Sequence, residues 1–183
     1  RGSEIQDSHR VSNETSIPHY WAFPGGGVSR TDRAALEGHP EWFADRDQDE
    51  RDALVALMRE MIEEVGIVPS PNGLKQIENE NRMRILQDKT AWLRLVESGE
   101  ISIEDEGFVV ISERTTPPLA PLRFRNHFFT VECTVEPILH SGERPEFDEY
   151  RWATPRRPLD EWMGNEIRLP PPLVMILREL LED

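Results

Sequence analysis

Glu60, Glu63 and Glu64 stand at i, i+3 and i+4, so a helix would bring their three carboxylates onto one face. Like charges at that spacing repel and cost a helix some stability. A hard divalent cation such as Mg2+ or Mn2+ would offset the repulsion, because such ions prefer carboxylate oxygens and water. The alternative is a solvated acidic face carrying one ion pair. Arg59 lies four residues before Glu63, within pairing reach on a helix, and would hold that carboxylate in one rotamer.

These groups need a helix to present them. Leu54, Leu57, Met58, Met61 and Val65 recur on one face and predict a helix over 49–65, with the carboxylates roughly opposite. Gly66 suits the left-handed residue just past a helix end, and Pro69 and Pro71 bar its resumption. Upstream, Trp21-Ala22-Phe23-Pro24 runs into Gly25-Gly26-Gly27. Three glycines mark backbone that takes unusual torsions or comes close to something.

The rest of the chain reads more coarsely. Residues 1–20 are polar and show no convincing strand, and 29–48 read as a loop or insertion. Trp42 and Phe43, inside that insertion, either cap a pocket or pack on the helix. A second helical pattern covers 78–98, and strands are expected at 108–112, 127–135 and 149–153. Phe129, Val131, Cys133 and Val135 share one strand face, which makes Cys133 a small core residue. Helices are expected at 155–163 and after Pro170-Pro171-Pro172. Strands and helices mix without regular alternation, which favours an α+β class with a mixed β-sheet.

Composition excludes several partners. Acids outnumber bases 35 to 21 for a net charge of −14, which argues against a broad nucleic-acid grip or an anionic membrane surface. No apolar run reaches the roughly 20 residues of a membrane helix. A single cysteine excludes an internal disulfide and a multi-cysteine zinc site, and it fits a reducing, cytoplasmic setting. His9 and His19 show no metal spacing, and His127 reads as structural.

Residues 59–67 read Arg-Glu-Met-Ile-Glu-Glu-Val-Gly-Ile, after the turn Phe23-Pro24-Gly25-Gly26. Together they resemble the signature of the Nudix hydrolase superfamily, which ends in Arg-Glu-apolar-x-Glu-Glu-x-Gly-apolar. Gly26 and Arg59 lie farther apart than in the simple signature, so 28–48 reads as an insertion within the Nudix box. The common signature has Glu eight residues before the arginine. Here that position is Arg51, with Asp49 and Glu50 just before it. Such an insertion resembles the branch of the peroxisomal coenzyme A diphosphatase and its bacterial relatives. Three further segments agree with that branch: Leu122-Arg123-Phe124-Arg125-Asn126-His127-Phe128-Phe129, Tyr150-Arg151-Trp152-Ala153-Thr154-Pro155 and Glu166-Ile167-Arg168-Leu169-Pro170-Pro171-Pro172.

The resemblance implies one Nudix domain over 1–183, an α/β/α sandwich with a mixed β-sheet. It also implies metal-dependent hydrolysis of a diphosphate linkage in a small nucleoside diphosphate derivative, with coenzyme A or acyl-coenzyme A favoured. ADP-ribose or NADH is the alternative substrate, and a non-hydrolysing nucleotide-binding module is the alternative class. By position in the motif, Glu60, Glu63 and Glu64 would bind Mg2+ or Mn2+, with Arg59 in support. Glu149, or its neighbours Glu146 and Asp148, would supply the general base. Gly26, Gly27, Arg123 and Arg125 would meet the substrate. A homodimer is compatible with the sequence. Nudix domains carry a strand ending in a basic residue before the Pro-Gly-Gly turn. Arg1 fits that residue, so the expectation is a domain lacking its first strand, unless Arg1-Gly2-Ser3 is foreign to it.

Overall fold

The structure, a computed structural model, describes residues 5–10, 20–70, 73–103, 107–119, 125–138 and 147–182, with side chains omitted at 5–10 and 147–149. The fold is α+β, as expected. The chain divides into two compact units, one of Arg1–Pro24 with Leu139–Asp183, the other of Gly25–Ile138.

The first unit holds strands β1 (Ile5–Arg10) and β2 (Trp21–Ala22). Its later elements are strand β7 (Phe147–Ala153) and helices α5 (Arg156–Met163) and α6 (Pro171–Glu182). The three strands pair antiparallel in the order β2-β1-β7, with His9 opposite both Trp21 and Glu149. The expectation that 1–20 lacks a strand is therefore corrected. Ile5–Arg10 carries one apolar residue, so no alternation announces it, and its backbone pairing with two neighbours makes it a strand. Helix α6 starts at Pro171, where a missing N–H costs nothing. Leu173, Val174 and Leu177 of α6 bury against Trp21, Leu159 and Leu169. The Arg151 guanidinium lies 4.3 Å from the Trp21 ring centroid and pairs with Glu161 at 2.5 Å.

The second unit opens with helix α1 (Arg30–Gly38), where a loop is expected from the polar sequence. A reciprocal capping box starts it: Ser29 Oγ accepts from the Asp32 N–H at 3.2 Å, and Asp32 accepts from the Ser29 N–H at 2.8 Å. Ala35 and Leu36 then anchor it in the core. Helix α2 (Gln48–Glu60) follows, capped by Asp47, and continues as a π-helical turn, Met61–Val65. The expected apolar face is confirmed, with Leu54, Met58, Met61 and Val65 buried and Leu57 partly so.

The remaining elements of this unit are hairpin β3 (Ile67–Ser70) and β4 (Gly73–Gln76), helices α3 (Asn79–Gln87) and α4 (Ala91–Glu97), and ribbon β5 (Val109–Thr115) and β6 (Arg125–Thr130). The single helix expected at 78–98 is two. Asp88 accepts from the Thr90 N–H and hydroxyl at 2.9 and 2.6 Å, a local bond set that breaks the helix. β6 ends at Thr130, before the expected limit, yet Phe129, Val131, Cys133 and Val135 all pack on the core as their alternation predicts. Every strand pairing among the described residues is antiparallel, so the expected mixed sheet is not seen there. No described helix is long and apolar enough to cross a membrane.

Candidate active site

The acidic residues occupy the junction of α2 with the π-turn. Glu60 ends the α-helix, and Glu63 and Glu64 lie in the wider turn that follows. Insertions of this kind into α-helices recur at functional sites because they re-aim side chains. Gly66 ends the turn at φ 66°, a left-handed conformation that glycine adopts without a Cβ penalty.

Arg59 is the hub of the site. Its Nε and Nη2 donate to the two Asp32 oxygens at 2.8 and 3.0 Å. Its Nη1 donates to Glu60 Oε1 at 2.8 Å and to Glu63 Oε2 at 3.1 Å, and Nη2 reaches the Gly27 carbonyl at 3.3 Å. Every N–H of the guanidinium is used, in the fork geometry that suits carboxylates. The sequence-predicted Arg59–Glu63 pair is therefore present.

The glycine run closes over the same helix. The Gly25 N–H donates to Glu64 Oε2 at 2.6 Å across 39 residues of sequence. A Cβ on Gly26 would overlap the Glu60 carboxylate, so the close approach expected of these glycines is real at Gly26. Gly27 has open space where its Cβ would be.

Burial and charge set the electrostatics. Glu60 and Glu64 are 8% and 3% exposed, which overturns the solvated-face reading. Burial works against the Arg59 charge, but the Asp32 hydrogen bonds, with Glu60 and Glu63 adding attraction, raise its pKa above the usual arginine range. Burial likewise pushes the Asp32 carboxyl up. Arg59 and Ser29 outweigh it and hold Asp32 below the ordinary aspartate value. Lys89 Nζ adds a second cation 3.7 Å from Glu63.

Two of these partners were invisible to motif reading. The buried acid facing Arg59 is Asp32, from α1, and none of the acids near Arg51 takes that place. Arg51 instead donates to the Trp42 and Pro40 carbonyls at 3.0 and 2.6 Å and ties down the chain before α2. The S-x-x-D pattern at Ser29 could have announced the start of α1, although not its pairing across 27 residues. The other missed residue is Arg82 on α3, which donates to the Glu63 and Glu64 carbonyls.

The remaining candidates are carried by other elements. Arg125 is on β6, donating to Glu113 at 2.7 and 2.9 Å and pairing with Asp49. Glu113 first, then Asp49, holds its pKa above the ordinary arginine value. His127 is nearly buried beside Glu113. Glu149 and Asp148 are on β7 in the other unit. Arg123 and Glu146 lie outside the described residues. Trp42 and Phe43 are core residues, with Trp42 stacked on His39 at 4.0 Å.

The donor set suits a hard cation. Glu63 Oε1 is buried and makes no hydrogen bond among the described residues. An open, buried carboxylate oxygen among further carboxylates is the donor that Mg2+ or Mn2+ favours. No three His, Cys, Asp or Glu side chains among the described residues form a ready-made cage, and Glu60, Glu63 and Glu64 each give one oxygen to Arg59 or Gly25. The fit therefore rests on donor chemistry and on the open oxygen of Glu63.

No protein-family model matches the chain. It is 30% identical over 173 residues to a Caenorhabditis elegans protein named "Putative nudix hydrolase 7", a match that covers 90% of this chain and 51% of that protein. The chain thus spans about half the length of that curated relative. It is also similar to the crystal structure of a Nudix hydrolase from Alicyclobacillus acidocaldarius, at 22% identity, covering 98% of this chain and 84% of that one. Both relatives are named as Nudix hydrolases, and with a TM-score of 0.80 to the solved one this chain has the Nudix hydrolase fold.

Proposed function

We propose that this protein is a metal-dependent Nudix hydrolase that cleaves a diphosphate linkage in a nucleoside diphosphate derivative, with coenzyme A or acyl-coenzyme A as the favoured substrate. One observation carries the chemistry. The glycine turn and the glutamate helix, far apart in sequence, meet through the Gly25–Glu64 hydrogen bond and the Gly26–Glu60 approach. That meeting gives the glycines and the carboxylates one shared purpose. The preference for coenzyme A is supported by the resemblance of the insertion and of segments 122–129, 150–155 and 166–172.

A divalent metal held by Glu60, Glu63 and Glu64 would lower the pKa of a bound water and neutralise charge in an in-line displacement. The chain's own residues supply position and proton handling. Arg59 fixes the rotamers of Glu60 and Glu63 through its two Nη1 bonds. The Gly25 N–H fixes Glu64. Glu149 is assigned the proton of the attacking water, on the strength of its place before Trp152 in the family resemblance. Arg123 and Arg125 are assigned to substrate phosphates. The pairs Arg125 makes with Glu113 and Asp49 are exposed, hence weak enough to exchange for a phosphate.

A product-resolved screen of coenzyme A, acyl-coenzyme A, ADP-ribose and NADH with Mg2+ or Mn2+ tests the assignment. Preferred release of phosphopantetheine (or its acyl form) and adenosine bisphosphate is the expected result. Preference for ADP-ribose or NADH would move the substrate and keep the chemistry. Tight nucleotide binding with no turnover of any of them would identify a binding module instead.

A further inference from the structure

The far end of the glutamate-bearing helix is unusually well tied. A helix leaves its last carbonyls without internal donors, and each must find another. Here the Gly66 N–H serves Met61 and Ile62. The Ile138 N–H serves Val65 at 2.9 Å. The Glu63 and Glu64 carbonyls both accept from Arg82 Nη2, at 2.9 and 2.8 Å. Arg82 Nη1 donates in turn to the Ile138 carbonyl. One guanidinium thus joins the turn that carries two of the three glutamates to the segment at Ile138.

This arginine is 2% exposed, and burial alone pulls its pKa below the ordinary arginine value. A buried cation is costly. The negative end of a helix offsets part of that cost, and the Arg82 nitrogens lie against that end. Gly66 leaves them room, since a Cβ there would stand 3.0 Å from Arg82 Nη1 and 3.4 Å from the Ile138 carbonyl. Among the described residues this buried arginine donates to main-chain carbonyls alone, and retaining it calls for a reason beyond packing.

We propose that Arg82 is a positioning residue for the site: by clamping the main-chain carbonyls of Glu63 and Glu64 it holds both carboxylates in ligating register and so sets the cation affinity. It touches neither cation nor substrate. The inference rests on the metal-dependent reading above. Residues behind the ligands commonly govern metal affinity in this way.

The test is Mn2+ binding to the whole chain, followed by the electron paramagnetic resonance signal of free Mn2+ and independent of turnover. Thermal melts confirm that each variant is folded at the measuring temperature. Arg82→Gln should weaken Mn2+ binding about ten-fold or more. Arg82→Lys keeps a cation but loses the two-nitrogen reach, and should fall between Arg82→Gln and wild type. Arg84→Gln, at an exposed arginine of the same helix, should bind as wild type. Folded Arg82→Gln or Arg82→Lys with wild-type Mn2+ affinity would overturn the proposal. Failure of both to fold would assign Arg82 to folding alone and overturn it too. If wild type itself binds no Mn2+ and cleaves no diphosphate, it is the metal-dependent reading that fails.

Discussion

Asp32 and Arg59 form a bidentate ion pair sealed from solvent, their side chains 0% and 1% exposed and their bonds 2.8 and 3.0 Å long. The pair links the capped start of α1 to the first residue of the Arg59-Glu60-Met61-Ile62-Glu63-Glu64 segment. Arg59 in turn holds Glu60 and Glu63, so Asp32 sets the frame for two glutamates it does not touch.

Breaking this pair should be costly. Asp32→Asn leaves Arg59 buried without its bidentate partner, and the expected loss is about 3–5 kcal/mol at neutral pH. The pH dependence follows from the depressed Asp32 pKa, where Arg59 and Ser29 outweigh the opposing effect of burial. A folded-state pKa below the unfolded one adds stability above the unfolded value and loses it as pH falls through the folded one. The gap between wild type and Asp32→Asn should therefore shrink in acid below about pH 4. Urea melts at neutral and acidic pH check both statements.

Gly26 and Gly27 should respond differently to alanine. At Gly26 the added methyl meets the Glu60 carboxylate, and overpacking of this kind costs about 1–3 kcal/mol. Gly26→Ala should also lose activity, because Glu60 must move. At Gly27 the space is open, and the stability change should stay within about 0.5 kcal/mol. Melting temperatures of the two variants, measured side by side, make the comparison.

Trp42 should behave as a core residue. It is 8% exposed and packs toward Trp92 with ring centroids 5.9 Å apart. Trp42→Ala should cost about 3–5 kcal/mol. A substrate-capping residue would instead raise KM with little effect on stability, so denaturant melts together with steady-state kinetics separate the two roles.

Arg125 should show the opposite behaviour. Its partners Glu113 and Asp49 are exposed, and such solvent-screened pairs add little to stability. Arg125→Gln should barely move the melting temperature while raising KM for the diphosphate substrate. Unchanged KM would leave Arg125 as a surface ion-pairing residue.

The glutamate helix was legible because its apolar spacing, its glutamates and Gly66 all agree on one element. The switch from α to π winding was not, since Met61–Val65 keeps the same apolar rhythm through the wider turn. α1 was hidden by polarity, although Ser29 and Asp32 carry its capping signal. β1 was hidden because its strand character comes from two backbone partners and not from its side chains. The burial of Glu60 and Glu64 was illegible for a related reason. Carboxylates read as solvated until the arginine and the glycine amide that enclose them are seen in space.

The central claim is that the buried glutamates serve metal-dependent cleavage of a diphosphate. Glu64→Gln keeps an oxygen for the Gly25 N–H while removing the charge and one ligating oxygen. The decisive measurement is chromatographic quantification of coenzyme A cleavage products with and without Mn2+, for wild type and Glu64→Gln together. The prediction is metal-dependent release of phosphopantetheine and adenosine bisphosphate by wild type, and loss of most of that activity in a Glu64→Gln protein that melts as wild type does. Cleavage that needs no metal, or that Glu64→Gln retains in full, would contradict it.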